Sequence, residues 1–245
     1  MALNPNRYAT RAGTADREEI DAGLRSYMLR VYNYMALGVA FTGLVVLFMA
    51  SNPAIMVQIA VGPIKWVLFA AVMGMGFFSS KIVTMKSTFA AHAFYWVYCA
   101  LWGVMISPMV AFFLQTTEGT MDVARAFFIT AGMFAGASLF GYTTKKDLSG
   151  VGRFLMMAVI GLLIAMVVNI FIASSMFSLI LSAAVVLVFA GLTAYETQQI
   201  KNWYMDTLGD TQVGRLALFG ALLLYGSFVT MFIHILNLLS ILRGE

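Results

Sequence analysis

The chain has 245 residues, of which 61% are hydrophobic and 11% charged, and its mean hydropathy is +0.88. A soluble domain carries about a quarter charged residues, so the composition excludes a soluble globular protein and points to a chain that crosses a bilayer several times. At this hydropathy the net charge of +4 is no nucleic-acid footprint, and the lone Cys99 excludes an intramolecular disulfide.

Residues 1–30 form a segment of their own. Arg7, Arg11, Arg17, Arg25 and Arg30 are mixed with Asp16, Glu18, Glu19 and Asp21. The first apolar run begins only near Val31, behind too many acids for a signal or transit peptide, so this segment is expected to be retained. Ile20, Leu24, Tyr27, Met28 and Val31 recur at helical spacing, which predicts a short amphipathic helix lying in the membrane interface.

Residues 31–245 read as one transmembrane domain. A spanning helix needs about 20 apolar residues, and seven runs qualify: Val31–Ala50, Ile64–Val83, Phe89–Leu114, Ala124–Tyr142, Phe154–Ala173, Phe177–Gln199 and Leu216–Leu242. The connections carry the breakers Asn52-Pro53, Gly62-Pro63, Glu118-Gly119, Ser149-Gly150 and Gly209-Asp210. Pro108 predicts a kink in the third run. A re-entrant last run would leave six spans instead of seven.

Lysine and arginine set the orientation. With the N-terminus inside, all but three of the 15 basic residues fall on the inner side; the exceptions are Lys65, Arg125 and Arg243. The expectation is a cytoplasmic N-terminus and a C-terminus on the opposite face.

Several features read as packing. Gly132 and Gly136 form a GxxxG that lets helices approach closely. Asp122 and Arg125, three residues apart at the outer start of the fourth run, read as a solvated pair. His92 and His234 stand on different runs with no Cys or second His nearby, which argues against a zinc site. Ser227 and His234 lie about 10 Å apart along one helix, beyond hydrogen-bond reach, which argues against a serine protease. No catalytic constellation remains, so an enzyme is not expected, nor is a cofactor.

The last run carries Ser227, Thr230, His234 and Asn237 at spacings of 3, 4 and 3, one stripe on a helix. Polar side chains in a span face a bundle interior or a watery cavity, so other helices are expected around this one. These residues, with Thr193 and Asn169, are the pore-lining candidates. Glu196 lies near the inner end of the sixth run, with Thr193 and Gln199 on its face. It reads either as a cap reaching for the headgroups or as a proton-sensing gate, and Lys81 is a basic partner that the topology allows.

Gly191-Leu-Thr-Ala-Tyr-Glu-Thr-Gln-Gln-Ile200 resembles the signature of the Bax-inhibitor (transmembrane Bax inhibitor motif) family, in which an aspartate usually follows the tyrosine. Tyr142-Thr-Thr-Lys-Lys-Asp-Leu-Ser149 looks like the family's loop before its fifth helix. Leu224-Tyr225 with Asn237-Leu-Leu-Ser-Ile-Leu-Arg243 resembles its last helix. The resemblance implies an all-α membrane fold in which six helices surround a central seventh, and for a bacterial chain it implies the inner membrane. It also implies a pH-sensitive calcium leak, latched by two carboxylates that share a proton, with calcium as the transported ion. Glu196 occupies the first carboxylate position. The second falls on Ser227, so the pair lacks one member. An alternative implied by bacterial relatives is a non-conducting protein that modulates a membrane-bound AAA protease.

Overall fold

A computed structural model describes the backbone of residues 5–85, 87–206 and 213–243, and the side chains from Ile20 onward within those ranges except at positions 53 and 60. The side chains of Arg7, Arg11, Asp16, Arg17, Glu18 and Glu19, and residues Lys86, Gly209 and Asp210, lie outside the described residues. Everything described is helix or connection: α1 (Pro5–Ala50), α2 (Pro53–Val61), α3 (Ile64–Phe77), α4 (Lys81–Thr84), α5 (Thr88–Phe113), α6 (Thr117–Thr143), α7 (Ser149–Ile172), α8 (Ser175–Asp206) and α9 (Val213–Arg243).

Local chemistry sets the ends. Ser87 and Thr116 accept the backbone N–H groups of Ala90 and Gly119, as N-cap side chains do. Pro53 opens α2, where its missing N–H costs nothing. Pro108 sits inside α5 without ending it. Proline cannot donate to the carbonyl four residues back, and the Ser107 hydroxyl donates to that Val104 carbonyl instead, at 2.8 Å.

Among the described residues six helices are long and apolar enough to cross a membrane: α5, α6, α7, α8, α9 and the Ile20–Ala50 part of α1. The second expected span, Ile64–Val83, is not one helix. It divides into the 14-residue α3, a turn at Phe78–Ser80, and the four-residue α4. Gly74, Gly76, Ser79 and Ser80 are weak helix formers, and the Phe78 N–H is shared between the Gly74 and Gly76 carbonyls where α3 stops. At 1.5 Å per residue α3 is about 21 Å long, shorter than a hydrocarbon core of about 30 Å.

α1 runs on without a break through the expected lead-in. Leu24, Tyr27, Met28 and Val31 are buried in the protein, not laid in the interface. Tyr27 stacks on Tyr204 of α8, ring centroids 5.2 Å apart. The stripe is apolar because it packs on a neighbouring helix.

α9 is the most buried helix. Its most apolar window is 61% buried, against 0% for that of α7. It packs on α1, α4, α5, α6 and α8, whereas α7 packs on α8 alone among the described residues. Phe228 meets Phe127 and Phe134 of α6, and Tyr225 meets Tyr95 and Tyr98 of α5.

Close backbone approach occurs where the sequence did not advertise it. A Cβ on Gly141 of α6 would collide with the Ala194 carbonyl of α8. Gly132 and Gly136, the GxxxG pair, face open space on the outside of α6. They bring no helix close among the described residues.

The two ends of the bundle differ chemically. At one, Lys201 donates to the Tyr142 carbonyl at 3.0 Å, Arg215 donates to the Met85 carbonyl, and Gln198 holds the loop before α7. At the other, Asp122 is buried and takes both Arg125, at 2.9 Å, and Arg243, at 2.7 Å. That carboxylate is not a solvated partner of Arg125. It ties the start of α6 to the end of α9.

Candidate functional site

The α8–α9 contact holds most of the polar side chains singled out above. Eleven residues make about three helical turns, so Ser182 and Thr193 of α8 share a face, with Ser178 and Glu196 close to it. This face meets the stripe on α9. Polar side chains in lipid gain by meeting each other, and the register of the two helices brings them together at two levels.

At the first level the Ser227 hydroxyl donates to Glu196 Oε2 at 2.7 Å. Ser227 is buried and Glu196 half-buried. Among the described residues no lysine or arginine forms an ion pair with Glu196. Lys81, the partner the topology allowed, lies over the Phe78 ring instead, 4.7 Å from its centroid.

The second level lies about two turns deeper, roughly 10 Å along α9. His234 Nδ1 is 3.1 Å from the Ser182 hydroxyl, and Asn237 Nδ2 donates to Ser182 at 2.8 Å and to Ser178 at 3.3 Å. Between the levels the contact is mostly apolar, with Val185, Val186, Leu192 and Met231 buried and Thr193 and Thr230 as the hydroxyls among them. Two polar levels are thus separated by a mainly apolar layer.

The remaining candidates fall differently. Thr193 is fully buried and donates to its own helix at the Phe189 carbonyl. Thr230 is half-buried and makes no side-chain hydrogen bond among the described residues. Asn169 is on α7, which does not reach α9, so it is not part of this contact.

Three polar arrangements were missed in the sequence. Gln198 accepts the Leu148 N–H at 2.9 Å and donates to the Lys146 carbonyl at 2.8 Å, clamping the loop that carries the threonine-lysine-aspartate motif. Thr42 donates to the Cys99 carbonyl, which leaves Tyr225 to donate to Thr42 at 2.6 Å and links α1, α5 and α9. Thr197 donates to the Thr193 carbonyl, Ser138 then to Thr197 at 3.0 Å, and Tyr32 to Ser138 at 2.6 Å. Each hydroxyl has one proton, so this last chain points one way and leaves the Tyr32 oxygen free to accept. Single Ser and Thr residues in apolar runs were the available signal. Ser178 and Ser182 in particular are spaced i, i+4 beneath the histidine.

No group of three or more His, Cys, Asp or Glu residues is gathered among the described residues. Calcium takes six to eight oxygen ligands, and Glu196 with Ser227 offers too few to hold it as a resident ion.

The profile of a family described as "Inhibitor of apoptosis-promoting Bax1" matches residues 24–244. An uncharacterized protein of Caulobacter vibrioides is 38% identical over 95% of this chain and 96% of its own length. One of Rickettsia prowazekii is 36% identical over 93% and 94%. The inner membrane protein YbhL of Escherichia coli K12 is 34% identical over 89% and 92%. With a family match over most of its length, six helices long and apolar enough to cross a membrane among the described residues, and relatives covering nearly all of it, this chain is a membrane protein that belongs to the Bax-inhibitor family.

Proposed function

We infer that the protein is a gated ion leak of the bacterial inner membrane, with calcium as its cargo and proton binding at Glu196 as its gate. In this reading seven helices cross the membrane, with α3 as a short second crossing and α9 at the middle of the other six. The N-terminus faces the cytoplasm and the C-terminus the other side. The observation that carries the reading is the two-level contact of α8 and α9. A carboxylate held by one hydroxyl lies near one end, a serine–histidine–asparagine group lies deeper, and a mainly apolar layer closes the space between them. Protonating Glu196 removes the charge that Ser227 holds, which changes the strength of the contact joining the two helices. Parting them would join the two polar levels into one path.

The test is ion flux into proteoliposomes at acid and neutral pH, with calcium and with potassium, for the parent and Glu196→Gln. The reading expects flux that depends on pH in the parent and does not in the variant. No flux above empty liposomes under any condition would overturn it.

One observation favours a second reading, a non-conducting partner of a membrane-bound AAA protease. α1 is 46 residues long, about 69 Å, and extends beyond its apolar part toward Pro5. Such an extension offers a partner a helix to grip. Deleting residues 1–19 separates the two, since a leak survives the deletion and regulation of a partner does not.

A further inference from the structure

We propose that the gap between α1 and α6 is a binding site for one anionic phospholipid molecule.

The backbones of the two helices stay apart, joined by the Tyr32–Ser138 bridge, and both helices lean on α8 and α9. What remains between them is a groove of about 590 Å³, lined by Met28, Tyr32, Phe134, Ala135 and Leu139, with Arg25 at its mouth. The span from Arg25 to Tyr32 makes the groove about 10 Å deep along α1. Its walls are apolar, as a fatty chain requires. Its floor is the Tyr32–Ser138 bridge, whose tyrosine oxygen has acceptor capacity left over.

The mouth carries the charge. Arg25 also borders a second hollow of about 610 Å³ on the other side of Leu29, where Ser26, Arg30 and Asn33 line the same flank of α1. Arg25 and Arg30 are exposed and form no ion pair among the described residues. Tyr142, at the groove's end on α6, has the Lys201 ammonium 5.1 Å from its ring centroid. The Arg25 guanidinium and, beside Tyr142, the Lys201 ammonium therefore lie at the headgroup end of an apolar slot, with Arg30 on the adjoining flank of α1. Arginine suits a phosphate because its fork meets two oxygens at once.

A chain of hydrocarbon in this groove gains little by leaving other lipid, so selectivity must come from the headgroup. That separates a built site from ordinary wetting. The ligand class is a phospholipid with net negative charge, and phosphatidylglycerol is the probe.

The experiment is native mass spectrometry of the full-length protein in detergent, titrated with phosphatidylglycerol or with phosphatidylcholine of identical chains. The first bound phosphatidylglycerol should hold about fivefold tighter than phosphatidylcholine. Arg25→Gln, an exposed change that leaves melting unaltered, should abolish the preference, and Arg25→Lys should keep part of it. Ala135→Trp should weaken both lipids by filling the slot. Equal affinities in the parent, or a preference that survives Arg25→Gln combined with Arg30→Gln, overturns the proposal. So does an Ala135→Trp protein that binds lipid normally but shifts from dimer to monomer, since the groove would then seat a second copy of the chain.

Discussion

Ser227 donates its hydroxyl proton to Glu196 across the α8–α9 contact at 2.7 Å, and no cation shares that carboxylate among the described residues. A hydrogen bond to a charged group contributes about 1.5–3 kcal/mol. Ser227→Ala should therefore lower thermal stability at neutral pH by an amount in that range. In the leak reading it should also raise calcium flux at neutral pH toward the acid value. Ser227→Asp places a second carboxylate where the hydroxyl now sits. The two would share one proton, so flux plotted across about pH 5 to 8 should become steeper than in the parent. Superimposable profiles for parent and both variants would rule out this contact as the gate.

Glycine substitutions should divide by what their Cβ would meet. Gly141→Ala forces α6 off the Ala194 carbonyl and should cost about 1–3 kcal/mol, read as a fall in Tm or in yield of folded protein. Gly132→Ala and Gly136→Ala point into open space and should stay within about 0.5 kcal/mol of the parent. The reverse ranking would mean that the GxxxG face is covered by another molecule.

Asp122 lies between Arg125 and Arg243 and is itself buried. Removing one partner of a buried pair leaves a charge without compensation. Asp122→Ala should cost about 2–4 kcal/mol, more than Arg125→Ala, because the Arg125 side chain is 54% exposed and its contribution is largely screened. Equal small losses in the two variants would show the clasp to be a surface contact.

Outside the membrane, Asp147 accepts from Ser149, whose hydroxyl and N–H hold its carboxyl below the ordinary 3.8, with Arg153 adding to the effect. A carboxyl held low in the folded protein stabilises the fold fully above its ordinary value and loses that contribution as the pH falls through the lowered one. Asp147→Asn should thus lower Tm slightly at neutral pH, and the gap to the parent should close below about pH 4. A gap that persists unchanged to pH 3 would assign it to shape and not charge.

Cysteines placed one at a time at Ala2 and Gly244, after Cys99→Ala, should label from opposite faces of sealed vesicles. This follows from the skewed distribution of the 15 basic residues. Labelling from one face would leave an even number of crossings. Cys99 itself is fully buried and should react with a maleimide only after denaturation.

Much of the fold was legible because apolar length is a strong signal. The expected Phe89–Leu114 is α5 at Thr88–Phe113, and the expected Phe154–Ala173 is α7 at Ser149–Ile172. Ile64–Val83 failed because hydropathy registers no break at Phe78-Ser79-Ser80, where backbone geometry does. The lead-in failed for another reason: an amphipathic stripe looks the same whether it meets lipid or a tyrosine on α8. At the site, Glu196 and the α9 stripe stood out as polar groups in apolar runs. Their partners Ser178 and Ser182 did not, since serine is nearly neutral in hydropathy and gains meaning only once the register of two helices is known.

α9 follows in sequence every helix it packs against. During synthesis those helices enter the membrane first, and Glu196, Ser178 and Ser182 then lie in lipid without the groups that satisfy them. Such groups favour waiting close to water or to a chaperone until α9 arrives. The α8–α9 contact is therefore made by one late insertion, and a fault in α9 should be seen first as lost protein in the cell, before any altered behaviour of the protein that survives.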